Sequence, residues 1–141
     1  MRYLAIDLGD KRTGLAVGDD ETRLATPLNV IRAPIAPPDR LLDAIARTVD
    51  EQGAGEIVIG LPLNMDDTES ARSRQTRAFG KLASDRLGLP IHFEDERLSS
   101  ASADWSLAQT GWTREQKKNR RDALAAAAIL QTFFARQNEP D

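Results

Sequence analysis

Three carboxylates in this 141-residue chain stand where a carboxylate needs a reason. Asp7 ends the apolar run "LAID" and precedes a glycine-punctuated turn carrying Lys11 and Arg12. Glu96 lies in "FEDERLS", residues 93–99, just past a short apolar segment. Asp122 opens "DALAAAAILQTFFAR", in which helical steps from residue 122 reach Ala125, Ala126, Ile129 and Phe133. That spacing sets Asp122 in line with a core-facing stripe. A charge in register with a buried face is costly unless it is paired or coordinated. The other reading of Asp122 is a solvated acid stabilised by the helix dipole. Three converging carboxylates without a cation would repel one another and raise each other's pKa. A hard divalent cation resolves the conflict, because Mg²⁺ takes a few carboxylates together with water and substrate phosphate. Two such ions can activate a water and stabilise the leaving oxygen of a phosphodiester.

The cations nearby point the same way. "TREQKKNRRD", residues 113–122, carries Arg114, Lys117, Lys118, Arg120 and Arg121 immediately before Asp122. A short basic run is commonly a solvated segment, but this one adjoins a candidate metal carboxylate. A phosphodiester substrate needs phosphate contacts that set its register. Arg74, Arg77 and Lys81 recur at helical spacing and form either a solvated flank or a nucleic-acid track. Trp112 covers a core edge or stacks on a base, and Trp105 packs its helix. His92 is the single histidine, on the less buried side of a strand, and takes no role. "DLGDKRTG" also resembles the first phosphate loop of the actin, sugar-kinase and heat-shock ATPase superfamily. Those proteins close on nucleotide between two related domains with further glycine-rich loops, and this chain has neither the length nor the loops.

The elements that must position these residues follow from periodicity. Residues 3–8, 13–18 and 25–32 read as three closely joined strands, hence an antiparallel meander. Asp39 is a candidate N-cap for a helix with the stripe Leu42, Ile45, Ala46 and Val49, ended by Gly53. "EIVIG", residues 56–60, reads as a strand buried on both faces. A second helix is expected after Thr68, with Ala71, Gln75, Ala78, Phe79 and Leu82 inward and Gly88 at its end. Residues 90–94 read as a fifth strand, Ser99 or Ser100 caps a helix to about Gln109, and a last helix spans Asn119–Arg136. The order β-β-β-α-β-α-β-α-α implies an α/β fold, one mixed five-stranded sheet flanked by helices, in a single domain over residues 1–141. Sites in such sheets gather beyond the carboxyl ends of strands. Asp7 and Glu96 meet there if the first and fifth strands run parallel.

Composition narrows the classes further. With no cysteine there is no disulfide framework, thiolate zinc site or cysteine nucleophile. The net charge of −3 argues against a generally basic nucleic-acid binder, so polyanion contacts must be local. No run approaches a membrane span or a signal peptide, and a cytoplasmic protein without membrane partners is expected.

Four stretches together resemble the bacterial YqgF family, also described as Holliday junction resolvase or pre-16S rRNA nuclease. They are "IDLGDKRTGLAVGD" (6–19), "IVIGLPLNMDDTES" (57–70), "FEDERLSS" (93–100) and "RRDALAAAAIL" (120–130). The resemblance implies a ribonuclease H-like fold and Mg²⁺- or Mn²⁺-dependent phosphodiester cleavage. Motif by motif, it implies that Asp7, Glu96 and Asp122 bind metal and catalyse. It likewise implies phosphate contacts for Arg12 and Arg97, and substrate or structural contacts for Asn64 and Thr68; Lys118 and Arg121 are added as backbone-positioning cations. The chain departs from the family pattern at Asp67 and Asn119, where glycine is usual, and both are read as tolerable turn residues. The leading expectation is an endonuclease processing the 5′ end of pre-16S rRNA, as a monomer or weak dimer. The alternatives are resolution of four-way DNA junctions and a non-catalytic nucleic-acid-binding factor.

Overall fold

The computed structural model describes residues 1–96 and 113–137, leaving aside the side chains of residues 115–117. Strands β1 (Arg2–Asp7), β2 (Arg12–Asp19) and β3 (Leu24–Arg32) are followed by helix α1 (Asp39–Gln52) and strand β4 (Glu56–Leu61). Helix α2 (Ala71–Leu87), strand β5 (Ile91–Asp95) and helix α3 (Arg114–Gln137) complete the described elements. They form one five-stranded sheet in the order β3-β2-β1-β4-β5. The first three strands are the expected antiparallel meander. β4 pairs parallel with β1, and β5 parallel with β4, so β1 and β5 point the same way. The helix expected near residues 99–109, with Trp105, lies outside the described residues, as do Trp112 and Arg97.

Strand alternation divides the core in two. Leu4, Ile6, Leu15, Val17, Ile57 and Ile59 face α1 and α2, where they meet Leu41, Ile45 and Phe79. Tyr3, Ala5, Ala16 and Val58 face α3, where they meet Ala126, Ile129, Leu130 and Phe134. Asp7 therefore falls on the α3 side of the sheet, two residues beyond Ala5. The α3 side is lined by small residues for a reason. A Cβ placed on Gly14 would come within 2.0 Å of the Asp122 carbonyl oxygen. Helix α3 thus lies with its backbone directly against β2 at the position of Asp122. Gly14 is not part of the turn but sits within β2, paired with Asp7.

Three details of the helices differ from expectation. α3 begins at Arg114 and not at Asn119, because the Arg, Glu, Gln and Lys of the basic tract are good helix formers with no breaker among them. Asn119 is consequently inside a helix and not in a turn. α2 buries Ser73, Thr76, Phe79, Gly80 and Ala83, while Ala71, Gln75, Ala78 and Leu82 face outward. Its contact with the sheet is close, and a Cβ at Gly80 would meet the Phe93 ring at 2.6 Å. Small residues whose hydroxyls bond back to the helix suit that closeness: Thr76 Oγ1 donates to the Arg72 carbonyl at 2.9 Å. Finally, Pro38 and not Asp39 occupies the N-cap of α1, and Asp39 contributes its charge from the first turn. Gly53 and Gly88 end their helices in the left-handed conformation, as expected.

Candidate active site

The parallel course of β1, β4 and β5 delivers Asp7, the last residue of β1, and Glu96, the first residue after β5, to the same end of the sheet. Both project on the α3 side, and the two carboxyls are hydrogen-bonded to each other. Room for Glu96 comes from the strand between them. A Cβ on Gly60 of β4 would lie 3.0 Å from Glu96 Oε2 and 2.5 Å from Ile129 Cδ1. Burial raises the Asp7 acid to about 7, with the charges of Glu96 and Asp122 adding to the effect. Burial also raises Glu96, against the hydrogen bond from Asp7 and the charge of Arg72.

Asp122 approaches from α3. It stands at the flank of the helix's buried stripe, which is centred on Ala123, Ala126, Leu130 and Phe134. Its side chain is a quarter exposed, and its Oδ2 lies 2.8 Å from Arg12 Nη2. The contact is an ion pair, and Arg12 steadies the Asp122 carboxyl through it. Burial raises the Asp122 carboxyl, opposed first by Arg12 and then by Lys118 and Arg121. Asp122 is close enough for its charge to raise Asp7. Among the described residues no three acidic or histidine side chains are drawn together around one point. Asp7 and Glu96 are joined, and Asp122 is turned toward Arg12.

Arg12 is the first residue of β2, and its guanidinium also reaches Asn119 Oδ1 at 3.4 Å. Lys118 and Arg121 are exposed on the outer side of α3 beside Asp122. Asn64 is placed elsewhere. Its Nδ2 donates to Thr68 Oγ1 at 3.0 Å and to the Glu69 carbonyl at 3.3 Å, holding the β4–α2 loop in shape. Asp67 in that loop has φ of 70°, the left-handed region that explains a usual glycine there. Of the α2 cations, Arg77 is paired with Glu69 and lies 5.3 Å over the Phe93 ring, which makes it structural. His92 pairs with Glu56 at 2.9 Å near Tyr3 and Phe133, away from the carboxylates.

One cation at the site escaped the sequence reading. Arg72 bonds Asp10 and the Leu8 carbonyl, bracing the β1–β2 turn. Its charge also lowers the acids of Asp7 and Glu96. Arg72 belongs to the first turn of α2, and only the true rotation of that helix, which the apolar residues mislead about, aims it at the site.

The donor set fits a hard divalent ion. It consists of three carboxylates brought by β1, the residue after β5 and α3, with Asp7 and Glu96 buried together so that each negative charge is disfavoured without a cation. A mixed sheet with this strand order and acids at the ends of β1 and β5 and on the last helix defines a protein of the ribonuclease H-like class. Solved structures agree on the fold. Thermus thermophilus RuvC matches with a TM-score of 0.57 at 18% identity, over 97% of this chain and 96% of that one. The fowlpox virus resolvase, in a structure with Holliday junction DNA, matches with a TM-score of 0.61 at 9% identity, over 99% and 100%.

Within that class the chain belongs to the RuvX family, a nuclease family described as Holliday junction resolvase, whose model matches residues 1–136. A relative from Anaeromyxobacter sp. (strain Fw109-5), named "Putative pre-16S rRNA nuclease", is 45% identical over 134 residues, 95% of this chain and 96% of its own. The family resemblance carried by the four motifs is borne out over nearly the whole chain.

Proposed function

We propose that this protein is a divalent-metal-dependent endonuclease that processes the 5′ end of pre-16S rRNA in the cytoplasm. The observation that carries the reading is the convergence of Asp7 and Glu96, hydrogen-bonded at the carboxyl end of the sheet, with Asp122 close enough to feel them. The choice of RNA rests on the name of the 45% identical relative. Asp7, Glu96 and Asp122 are the residues to hold Mg²⁺ or Mn²⁺. When bound, the metal supplies Lewis-acid activation of water and stabilisation of the leaving oxygen. The chain's own side chains do the rest. The buried Asp7 and Glu96 carboxyls, whose acids are raised by burial, would serve the metal as ionised donors. Arg12 holds Asp122 in orientation and, with Lys118 and Arg121, offers positive charge to the substrate backbone. Arg97 is assigned to the phosphate by the family motif alone.

Cleavage of a four-way DNA junction is the second reading, favoured by the description of the family model. The deciding assay offers precursor rRNA, single-stranded RNA and a four-way junction side by side to purified protein, with Mg²⁺ and Mn²⁺ varied. The expected result is metal-dependent cleavage of the precursor, abolished in Asp7→Asn, with circular dichroism unchanged. Full activity of Asp7→Asn would sink the assignment of the site. Tight binding of every substrate with none of them cut would establish the non-catalytic factor instead.

A further inference from the structure

Arg72 is a cation of the site that none of the four family motifs contains. It stands in the first turn of α2, which follows β4 and so begins at the carboxyl end of the sheet. α2 packs on the sheet face opposite α3, so Arg72 and Arg12 approach the carboxylates from two sides. Their charges divide accordingly. Burial raises Asp7 and Glu96, and the charge of Arg72 lowers both. Burial raises Asp122, and the charge of Arg12 lowers it.

Arg72 nevertheless forms its ion pair elsewhere. Its Nη1 donates to Asp10 Oδ1 and, at 3.4 Å, to Gln75 Oε1, and its Nη2 donates to the Leu8 carbonyl at 3.0 Å. These bonds take three of the five N–H groups of a guanidinium, and among the described residues the other two have no acceptor. The Arg72 side chain is 32% exposed and that of Asp10 78%. An ion pair so open to water contributes little and exchanges readily. The Leu8 carbonyl is the firmer anchor, since Leu8 is buried and directly follows Asp7. A guanidinium left loose beside two carboxyls would pair with them and stand where a cation is to bind. Asp10 and the Leu8 carbonyl together prevent that.

We propose that Arg72 binds a phosphate of the nucleic-acid strand that enters the carboxylate site, and that Asp10 holds its guanidinium until that phosphate takes its place. The assignment rests on the nuclease reading and adds to it a contact outside the family motifs. A guanidinium fork matches two phosphate oxygens, whereas Asp10 engages it through one oxygen only. Asp7 and Glu96 repel a lone anion. A phosphodiester is carried past them by its own strand, whose neighbouring phosphates meet Arg12 and Lys118 on the α3 side.

The test is binding of a labelled single-stranded RNA, and of the DNA of the same sequence, by fluorescence anisotropy in EDTA at several salt concentrations. Arg72→Gln is expected to weaken binding about three- to tenfold at low salt and to flatten the dependence of log Kd on log salt by about 0.7. Arg72→Lys keeps the charge without the fork, so it should weaken binding about two- to threefold with the slope unchanged. Asp10→Asn removes the competitor and should tighten binding about two- to threefold in the wild-type background but not in Arg72→Gln. Arg86→Gln, about 20 Å along the same helix, should bind as the wild type does. Circular dichroism and thermal melts establish that each variant is folded. Wild-type affinity and slope in Arg72→Gln, or a slope in Arg72→Lys as low as in Arg72→Gln, would overturn the phosphate contact and leave the nuclease reading intact. Weaker binding by Asp10→Asn would make the Asp10 pair a structural brace, and an equal gain in both backgrounds would make Asp10 a diffuse charge; either overturns its exchange with phosphate. A wild-type protein that binds neither strand would overturn both the contact and the nuclease reading.

Discussion

Asp7 is the residue on which stability and activity pull apart. Its acid sits at about 7 in the folded protein and at the ordinary 3.8 when exposed, because burial and two neighbouring carboxylates oppose its charge. The folded state therefore binds the proton more tightly than the unfolded state. Between about pH 4 and pH 7, metal-free protein must lose stability as pH rises, since ionising Asp7 is disfavoured only in the fold. Above pH 7 the full penalty is present, on the order of 1–3 kcal/mol once sharing with Glu96 is allowed for. Asp7→Asn removes that charge and keeps a donor for Glu96. Thermal melts in EDTA should show Asp7→Asn more stable than wild type at pH 8 and nearly equal to it near pH 4. Mg²⁺ or Mn²⁺ should raise the melting temperature of the wild type most at pH 8 and that of Asp7→Asn hardly at all. An unchanged or lowered melting temperature for metal-free Asp7→Asn at pH 8 would contradict this account.

At the scale of elements, the site depends on how closely α3 lies on the sheet. Gly14→Ala would drive a methyl group to 2.0 Å from the Asp122 carbonyl oxygen, a backbone atom that no rotamer change can move. The helix must shift, taking Asp122 with it. We expect a loss of about 3 kcal/mol in denaturant unfolding and cleavage reduced at least about tenfold. The β4–α2 loop should respond in the opposite sense. Asp67 holds φ at 70°, and Asp67→Gly relieves that strain, so stability should be equal or up to about 1 kcal/mol higher, with cleavage retained. Much of this architecture was legible in the chain. Alternation and turn residues revealed the five strands, and the three acids stood out because Asp7 ends an apolar run, Glu96 follows one and Asp122 falls in register with one. What was not legible depended on close packing. Ser73, Thr76 and Gly80 form the buried face of α2 because they are small, so hydrophobic periodicity chose Leu82 instead and missed Arg72. Gly14 and Gly60 stand in stretches read as strands, and only the helix and Glu96 above them show that no side chain fits there.

For the molecule as a whole, the choice between RNA processing and junction resolution turns on symmetry. Resolving a four-way junction needs two cuts on opposing strands, which a twofold dimer provides by presenting two sites at once. Stable dimers usually bury a contiguous apolar patch. Among the described residues the large exposed apolar side chains are Met1, Leu24, Met65 and Leu82. They lie at Met1, the start of β3, the β4–α2 loop and the outer side of α2. We therefore expect one copy of the chain at micromolar concentration in sedimentation velocity, with or without RNA bound. On a four-way junction supplied as a supercoiled cruciform plasmid, a one-site enzyme nicks and relaxes the circle before a second cut, so the first product should be nicked circle. Linear plasmid formed without a nicked intermediate, together with a dimer in sedimentation, would transfer the assignment from RNA processing to junction resolution.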